Sequence, residues 1–333
     1  MSPPKRTTIH DVANRAGVSI ATVSRVLGGS QKVNEEMSRR VLDAAAEVGY
    51  RPNAAARSLV SGRFRTIGLV MPDVGNAYFQ DILKAVVTEA KKDGYRVVVI
   101  DSIGDADEEY EACLQQVPNV DGIILLSPRM SKAQLADVIA KAGAVSIVNR
   151  LEPGISAPMI VTDNAGACWE ILEHLASLGH RRLVHVCGPT ESWQARTRIT
   201  ALRRGAQRLG LELAVLEAEQ GVEAGYAIAD EALETGATAV IAFNDLHAFG
   251  VMTRLHDRGI RVPEDVSVTG FDDIELARFS RPAITTVGTP KLELGEQAWI
   301  GLLAQLRGDG VPPSTPISTP LTVRGSTGPA AGA

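Results

Sequence analysis

Polar and aromatic residues follow several strand-like runs of the sequence, at the points where those runs end. Ser127 follows the run 123–126, Asn244 follows 239–242, and Asp272 follows 266–270. Aromatic faces cover the apolar side of a ligand, while Asn, Asp and Arg bind its hydroxyls or ring nitrogens. Comparable positions are held by Asp73, Tyr78, Phe79, Arg150, Asp163, Gln194 and Arg198. These residue types predict a site for a polyhydroxylated or heteroaromatic small molecule.

Each of these residues also has a purely structural interpretation. Asn244 and Asp272 are types that commonly cap helices, as are the aspartates that follow them. Tyr78 and Phe79 are suited to a core position at the start of a helix, and Arg150 to an interface pair with the preceding Asn. The residues alone leave both interpretations open.

The same residues do not form a catalytic constellation. Asp272 and Asp273 are neighbours at a strand end, so their side chains point apart and make a poor acid–base pair. His174, His180 and His185 share no helix face that would suit a metal. The sequence also contains no GxGxxG, GxxxxGK[ST] or GxSxG motif. We therefore predict a protein that is not an enzyme and has neither a cofactor nor a metal site.

Strand-like and helical stretches alternate from residue 66 onward, and the helical stretches close on Gly. This alternation predicts right-handed crossovers and parallel sheets. About ten strands are many for one twisted sheet, so we expect two α/β lobes. Ligands bind beyond the carboxyl ends of parallel strands, which places the candidate residues in the cleft between the lobes.

Residues 1–62 follow a different, all-helical pattern. Thr8 is a cap for a first helix, Gly17 permits a tight turn, and Ser19 caps a second helix. Short side chains with one Arg let a helix lie deep in the major groove of DNA. The second helix presents such a face: Ile20, Ala21, Thr22, Ser24 and Arg25. The pattern predicts a helix-turn-helix, and an ordinary three-helix bundle is the alternative.

Charge and cysteine content support a DNA-binding head on an intracellular protein. The first 65 residues hold eleven Lys/Arg and five Asp/Glu, while the rest of the chain holds 23 and 34. A basic end on an acidic body favours a polyanionic partner for that end. Three cysteines without CxxC spacing, no signal-like start and no long apolar run predict a cytoplasmic protein with no membrane partner.

Residues 7–63 closely resemble the LacI/GalR family of bacterial repressors, and the remaining chain is similar to the family's core. The resemblance implies an all-α helix-turn-helix head, a hinge and a two-lobed periplasmic-binding-protein-like core. It also implies a homodimer on a palindromic operator in double-stranded DNA, controlled by a small-molecule effector. A sugar or sugar derivative is the expected effector, and a nucleobase or nucleoside is the alternative. A transport-type binding protein shares the core but not such a head.

The resemblance also assigns individual residues. Ile20 and Ala21 stand at the main base-selecting positions. Gln220 stands where the family often has an aromatic residue that stacks on the ligand, which puts stacking from that side in doubt. Trp193 is an alternative source of an aromatic ring for such stacking. The family's effector-contact positions are matched by Phe79, Arg150, Asp163, Arg198, Asn244 and Asp272.

The expected domain organisation follows from these assignments. We place the DNA-binding domain at residues 1–50 and the hinge at 51–63. The first lobe is expected to comprise residues 64–163 with 291–318, and the second lobe 164–290 with 319–327. The small residues 328–333 are expected to form a disordered tail.

The hinge sequence predicts a short helix that would be marginal by itself. Pro52 suits its first turn, and a helix of about two turns needs external support in water. The resemblance implies that hinge helices of a dimer lie in the minor groove of the operator. There Leu59 wedges into the central base step, and Asn53, Ala56 and Arg57 lie beside it.

We predict that Leu59→Ala weakens operator binding sharply and leaves non-specific DNA binding unchanged. Removing an apolar wedge removes the kink that only the specific complex makes. Titrations of both proteins on operator and on random DNA measure the two affinities. Equal operator affinity for both proteins would disprove the wedge.

Overall fold

A helical head forms the first part of the computed structural model. The structure describes residues 7–27, 34–50, 63–310 and 316–331. The head consists of α1 (Ile9–Ala16), α2 (Ile20–Leu27) and α3 (Glu35–Glu47). Val12, Val23 and Val41 are fully buried where the three helices meet. Each helix turns its apolar face to the other two, so the head has a core of its own.

The turn between α1 and α2 is defined by local chemistry. The backbone N and Oγ1 of Thr8 both donate to Asp11 Oδ2 at 2.8 Å, which closes the start of α1. Gly17 ends α1 in the left-handed region at φ 64°, where a Cβ would be unfavourable. Ser19 Oγ then accepts a hydrogen bond from Thr22 N at 3.1 Å and begins α2. These caps fix the entry and exit of a helix-turn-helix.

A parallel five-stranded sheet forms the centre of the first lobe. Its strands are ordered β2-β1-β3-β4-β5. Strands β1 and β3 are almost entirely buried, as expected for strands covered by helices on both faces. The elements are β1 (Thr66–Met71), α4 (Ala77–Lys92), β2 (Arg96–Asp101), α5 (Ala106–Gln116), a 3₁₀ turn (Val117–Asn119), β3 (Gly122–Leu126), α6 (Lys132–Ala142), β4 (Val145–Val148) and β5 (Met159–Ile160).

The second lobe is built around a six-stranded sheet in which only the β10–β11 pairing is antiparallel. Its order is β11-β10-β9-β8-β6-β7. Leu183 packs toward α7 and α8, whereas the next residue, Val184, packs toward α9 and α10. The elements are α7 (Asn164–Ser177), β6 (Arg182–Cys187), α8 (Trp193–Leu209), β7 (Glu212–Glu217), α9 (Val222–Glu234), β8 (Ala239–Ala242), α10 (Asp245–Asp257), β9 (Ser267–Asp272), α11 (Glu275–Phe279), β10 (Thr285–Gly288) and β11 (Leu321–Thr322).

The chain crosses between the lobes more than once. After β10 it forms α12 (Lys291–Arg307), which packs against α4, β3 and β4 of the first lobe. Ile317 then pairs with Thr162 before β11 joins the second sheet. The predicted fold class, a helical head with two parallel α/β lobes, is confirmed, while the exact lobe boundaries stay a prediction. Within the described ranges, no helix has the length and apolarity needed to cross a membrane.

The expectation of a disordered tail is wrong for residues 328–331. Gly328 N donates to Ser267 Oγ at 3.1 Å, and Gly328 O lies 3.1 Å from His180 Nε2. Ala330 N donates to Leu178 O at 2.9 Å. Small residues suggested disorder because they offer little side-chain burial. Their backbone groups instead bind to one end of the second lobe.

Two glycines let α9 and α10 cross at close range. A Cβ on Gly250 would lie 2.0 Å from Val222 O, and a Cβ on Gly225 would lie 2.3 Å from His247 O. Both neighbours are backbone atoms, so neither gives way without moving a helix. The second lobe therefore depends on the absence of side chains at this crossing.

We predict that Gly250→Ala lowers the free energy of unfolding by about 3 kcal/mol, because overpacking at a helix crossing forces the backbone apart. Gly259→Ala is the matched control, since nothing lies within 4 Å of its Cβ position and only its φ of +71° is strained. That variant should lose about 1 kcal/mol. Urea unfolding compares the two, and equal losses would contradict the packing explanation.

Candidate functional site

A cavity lies at the carboxyl ends of the strands, where the two lobes face each other. The free space within it is about 30 Å³, room for only a few water molecules. A larger ligand therefore enters only when the lobes or side chains move. The predicted residues that line this cavity are Tyr78, Phe79, Ser127, Gln194, Arg198, Gln220, Asn244 and Asp272. We call it the effector cavity.

Arg198 is a buried cation of the effector cavity, and hydrogen bonds hold it in place. It is only 2% exposed. Its Nε donates to Asn164 Oδ1 at 2.8 Å, and its Nη1 donates to Phe243 O at 2.7 Å. The guanidinium carbon lies 3.4 Å from the centroid of the Phe271 ring. Burial lowers the pKa of Arg198 from its ordinary value, and the charge of Asp272 opposes that effect.

Asp272 supplies the opposite charge. It ends β9 and is 6% exposed. Burial raises its pKa to about 6, against the lowering effects of Arg198 and Lys291. The carboxylate and the Arg198 guanidinium interact at a distance but form no ion pair within 4.0 Å. No residue in the described ranges donates a hydrogen bond to this carboxylate. A ligand hydroxyl can therefore accept from Arg198 and donate to Asp272.

A chain of hydrogen bonds joins the first lobe to the second across the effector cavity. Asn149 Nδ2 donates to Tyr78 Oη at 2.8 Å and to Ser127 Oγ at 3.0 Å. Ser127 Oγ in turn donates to Gln194 Oε1, which belongs to the second lobe, at 3.2 Å. Burial raises the pKa of the Tyr78 hydroxyl above its ordinary value, so this group stays neutral. These hydrogen bonds stabilise the arrangement of the lobes in this structure.

Three residues at strand ends around the cleft have left-handed backbones. Their φ angles are 50° for Ser127, 66° for Asn149 and 103° for Asp272. Such conformations are costly for residues other than Gly, and they cluster at functional sites. Because these three residues lie at the ends of β3, β4 and β9, we infer that the surrounding packing fixes their backbone conformation and the direction of their side chains.

Sequence reasoning missed several residues that shape the effector cavity, among them the lining residues Pro72 and Phe243, and also Arg129 and Glu109. Arg129 lines it, and its Nη1 donates to Gly104 O at 2.8 Å. Glu109, only 1% exposed, holds that loop by accepting from the backbone N of Arg129 and of Met130. Burial raises the pKa of Glu109 to about 7. The position of Arg129, just after β3, was a usable signal, whereas Glu109 lies within a helix and gave none.

Three predicted effector contacts lie elsewhere. The Arg150 guanidinium donates to Pro128 O and Met130 O and pairs with Glu152 at 2.5 Å, so it braces its own lobe. Asp163 caps α7 by accepting from Gly166 N at 2.9 Å. Asp73 accepts from Gly75 N at 2.8 Å in a turn. None of the three lines the effector cavity.

Several residues that line the effector cavity also fit their structural interpretation. Asn244 Oδ1 caps α10 through His247 N at 3.0 Å, and Asn244 also lines the effector cavity. Tyr78 and Phe79 belong both to the core of the first lobe and to the cavity wall. Trp193 does not line this cavity and faces an outer groove between α7 and α8.

The geometry also disfavours catalysis by the paired aspartates. Asp273 forms an ion pair with Arg324 at 2.7 Å, whereas Asp272 faces the effector cavity. The two carboxylates therefore point to different partners. Among the described residues, no group of His, Cys, Asp or Glu is arranged to hold a metal ion.

The second helix of the head presents the predicted face to solvent. Ile20 is 41% exposed although it is a large apolar residue, and Ala21 and Arg25 are exposed beside it. Thr22 and Ser24 are half-buried. The exposed set matches the short, mixed surface that reads a major groove. The hinge predictions, on Asn53, Ala56, Arg57 and Leu59, lie outside the described residues.

The raised pKa of Asp272 predicts a pH-dependent stability. The folded chain holds this proton up to a pH of about 6, while the unfolded chain releases it near the ordinary value of 3.8. The group's favourable contribution is present at low pH and is lost as the pH rises through that window. The variant Asp272→Asn mimics the protonated form. The difference in the free energy of unfolding between this variant and the native protein should therefore grow in the variant's favour by about 2 kcal/mol as the pH rises from about 4.5 to 7.5. Urea unfolding measures this difference, and an unchanged difference would refute it.

Comparisons with known proteins agree with this architecture. A family model for bacterial regulatory proteins of the lacI family matches residues 8–53, and one for a periplasmic binding protein-like domain matches residues 172–327. The chain is 31% identical over 327 residues to the HTH-type transcriptional repressor CytR of Escherichia coli strain K12, covering 96% of each protein.

Solved structures of two regulators show the same fold. The lac repressor dimer bound to operator and the anti-inducer ONPF superposes with a TM-score of 0.87 at 26% identity, covering 97% of this chain and 100% of that one. The transcriptional regulator CelR in complex with cellobiose gives a TM-score of 0.72 at 27% identity, covering 96% and 100%. The resemblance stated from the sequence is confirmed, and the family is not enzymatic. The chain belongs to the lacI family and is a DNA-binding transcriptional regulator with a periplasmic-binding-protein-like core.

Proposed function

We propose that the protein is a repressor whose operator binding is controlled by a small-molecule effector in the effector cavity. One observation carries this proposal: Arg198 and Asp272 are buried with opposite charges and face the same cavity without a direct ion pair. Such a pair costs free energy when left incomplete, and a ligand that bridges it recovers that cost. The effector-binding roles of the other lining residues are part of the same proposal.

A sugar or sugar derivative is the effector class that we propose. The lining side chains offer amides, hydroxyls and one carboxylate, which suit a ligand with many hydroxyls, and Phe79 covers an apolar ring face. The similar regulator CelR is described in complex with cellobiose. A nucleobase or nucleoside is the second candidate, favoured by the aromatic pair Tyr78–Phe79 with ring centroids 5.1 Å apart. Gln220, which cannot stack as an aromatic would, counts against it.

We further propose that the protein binds a palindromic operator as a homodimer. A head that reads one half-site needs a second head related by twofold symmetry. The edge strand β2 supports this, because Val98 and Val99 are each 39% exposed at the end of the first sheet. The lac repressor is described as a dimer on its operator.

Control of the operator follows from the two-lobed arrangement. A ligand that binds one arrangement of the lobes better shifts the population toward it by its difference in affinity. The Ser127–Gln194 hydrogen bond joins the lobes between two residues that line the effector cavity, so a bound effector competes with it or reinforces it. Coupling to the operator must be reciprocal: operator DNA changes effector affinity by the same factor.

The experiment uses the full chain, an operator obtained by in vitro selection, and a panel of sugars, sugar phosphates, polyols and nucleobases. We expect one class of compound to raise the melting temperature and to change operator affinity; a ligand at 100 times its Kd adds about 2.7 kcal/mol. Asp272→Asn should abolish both effects. Asp163→Asn, the same change at a predicted residue outside the effector cavity, should keep them.

The outcomes separate the parts of the proposal. A compound that acts equally on native protein and on Asp272→Asn binds elsewhere and contradicts the site. A compound that binds without changing operator affinity contradicts the regulatory role. A response to nucleobases alone would replace the sugar by the second candidate.

A further inference from the structure

A second concave surface lies on the second lobe, between α7 and α8. It has a volume of about 460 Å³ and shares no lining residue with the effector cavity. Its walls carry two indoles, Trp169 and Trp193, and three guanidiniums, Arg196, Arg204 and Arg208. We call it the Trp–Arg groove. Its independence from the effector cavity means that the proposed effector does not account for it.

Helix α8 builds both sites with opposite faces. Gln194 and Arg198 point to the effector cavity and are buried, while Trp193, Arg204 and Arg208 face the Trp–Arg groove. Positions 193, 200, 204 and 208 repeat at the spacing of one helix face. The groove is therefore a continuous stripe along α8 and not a chance meeting of loops.

A glycine makes room at the floor of the Trp–Arg groove. A Cβ on Gly205 would lie 2.5 Å from Leu172 Cδ1 and 3.6 Å from Trp169 Cε3. The missing side chain lets α7 approach α8, so Trp169 lies beside the guanidiniums. The Arg208 guanidinium carbon is 5.0 Å from the centroid of the Trp169 ring, a cation–π distance.

The groove is a concentrated positive charge on an acidic body. No carboxylate lines it, and in the described parts of the chain Arg204 and Arg208 take part in no ion pair. Beyond residue 65 the chain carries 23 Lys/Arg against 34 Asp/Glu. Like charges four residues apart on a helix repel each other, and an anion between them would relieve that repulsion.

We propose that the Trp–Arg groove binds a nucleoside phosphate, with the base on an indole and the phosphate on Arg204 and Arg208. Guanidiniums bind phosphate oxygens in pairs of parallel hydrogen bonds, and stacking of a base on an aromatic ring contributes about 1–3 kcal/mol. A ligand that is only an uncharged ring would not bind the guanidiniums, and inorganic phosphate would not stack on the indoles. The volume of about 460 Å³ lies in the range of small-molecule sites, roughly 300–1,000 Å³, which favours a nucleotide over a protein surface.

Equilibrium dialysis of the full chain against adenosine monophosphate, adenosine and inorganic phosphate tests this site. We expect adenosine monophosphate to bind at least about tenfold more tightly than either part alone. The double variant Arg204→Gln/Arg208→Gln should lose about tenfold in that affinity. Arg203→Gln is the matched control, because Arg203 is an exposed residue of α8 outside the groove. It should bind like the native protein.

A further variant distinguishes this site from the effector cavity. Asp272→Asn should bind adenosine monophosphate as tightly as the native protein does. Loss of binding in Asp272→Asn with retention in the double arginine variant would place the nucleotide in the effector cavity and overturn the proposal. Equal affinities for inorganic phosphate and adenosine monophosphate would show an adventitious ion only. Absence of saturable binding of adenosine monophosphate would also overturn the proposal.

Discussion

The burial of Arg198 is the constraint around which the second lobe and its cavity are arranged. A guanidinium removed from water costs several kcal/mol unless its environment replaces the lost hydration. Here the replacement comes from Asn164 at the start of α7, from Phe243 O at the end of β8 and from the Phe271 ring in β9. These partners draw the ends of separate elements around one side chain of α8. The compensation is incomplete on the side of the effector cavity, which is the side on which we propose that a ligand binds.

Asp272 and the residues with left-handed backbones are likewise held in unfavourable states around the effector cavity. Asp272 is held at φ 103° with its pKa raised to about 6, so the fold maintains both backbone strain and an unfavourable charge at one residue. Ser127 and Asn149 are held in left-handed conformations on the facing lobe. Strain of this kind persists only where surrounding packing imposes it.

Helix α8 gives the second lobe two chemically different faces. Its buried face contributes Gln194 and Arg198 to the junction of the lobes, and its outer face carries Trp193 with Arg204. The effector cavity and the Trp–Arg groove are therefore lined in part by the same helix, although they share no residue.

Local patterns in the sequence determined the elements, because caps, turns and periodic burial depend on neighbours within a few residues. The Thr8–Gly17–Ser19 pattern defined the helix-turn-helix, and the residues after each strand identified most of the cavity wall. Tertiary structure decided where individual side chains point. Arg150 follows β4 as the pattern requires, yet its guanidinium turns back to Pro128 O and Met130 O. Trp193 faces outward because the rotation of α8 is set by its packing on α7. These directions depend on contacts between residues that are far apart in the chain, and a local sequence pattern carries no information about such contacts.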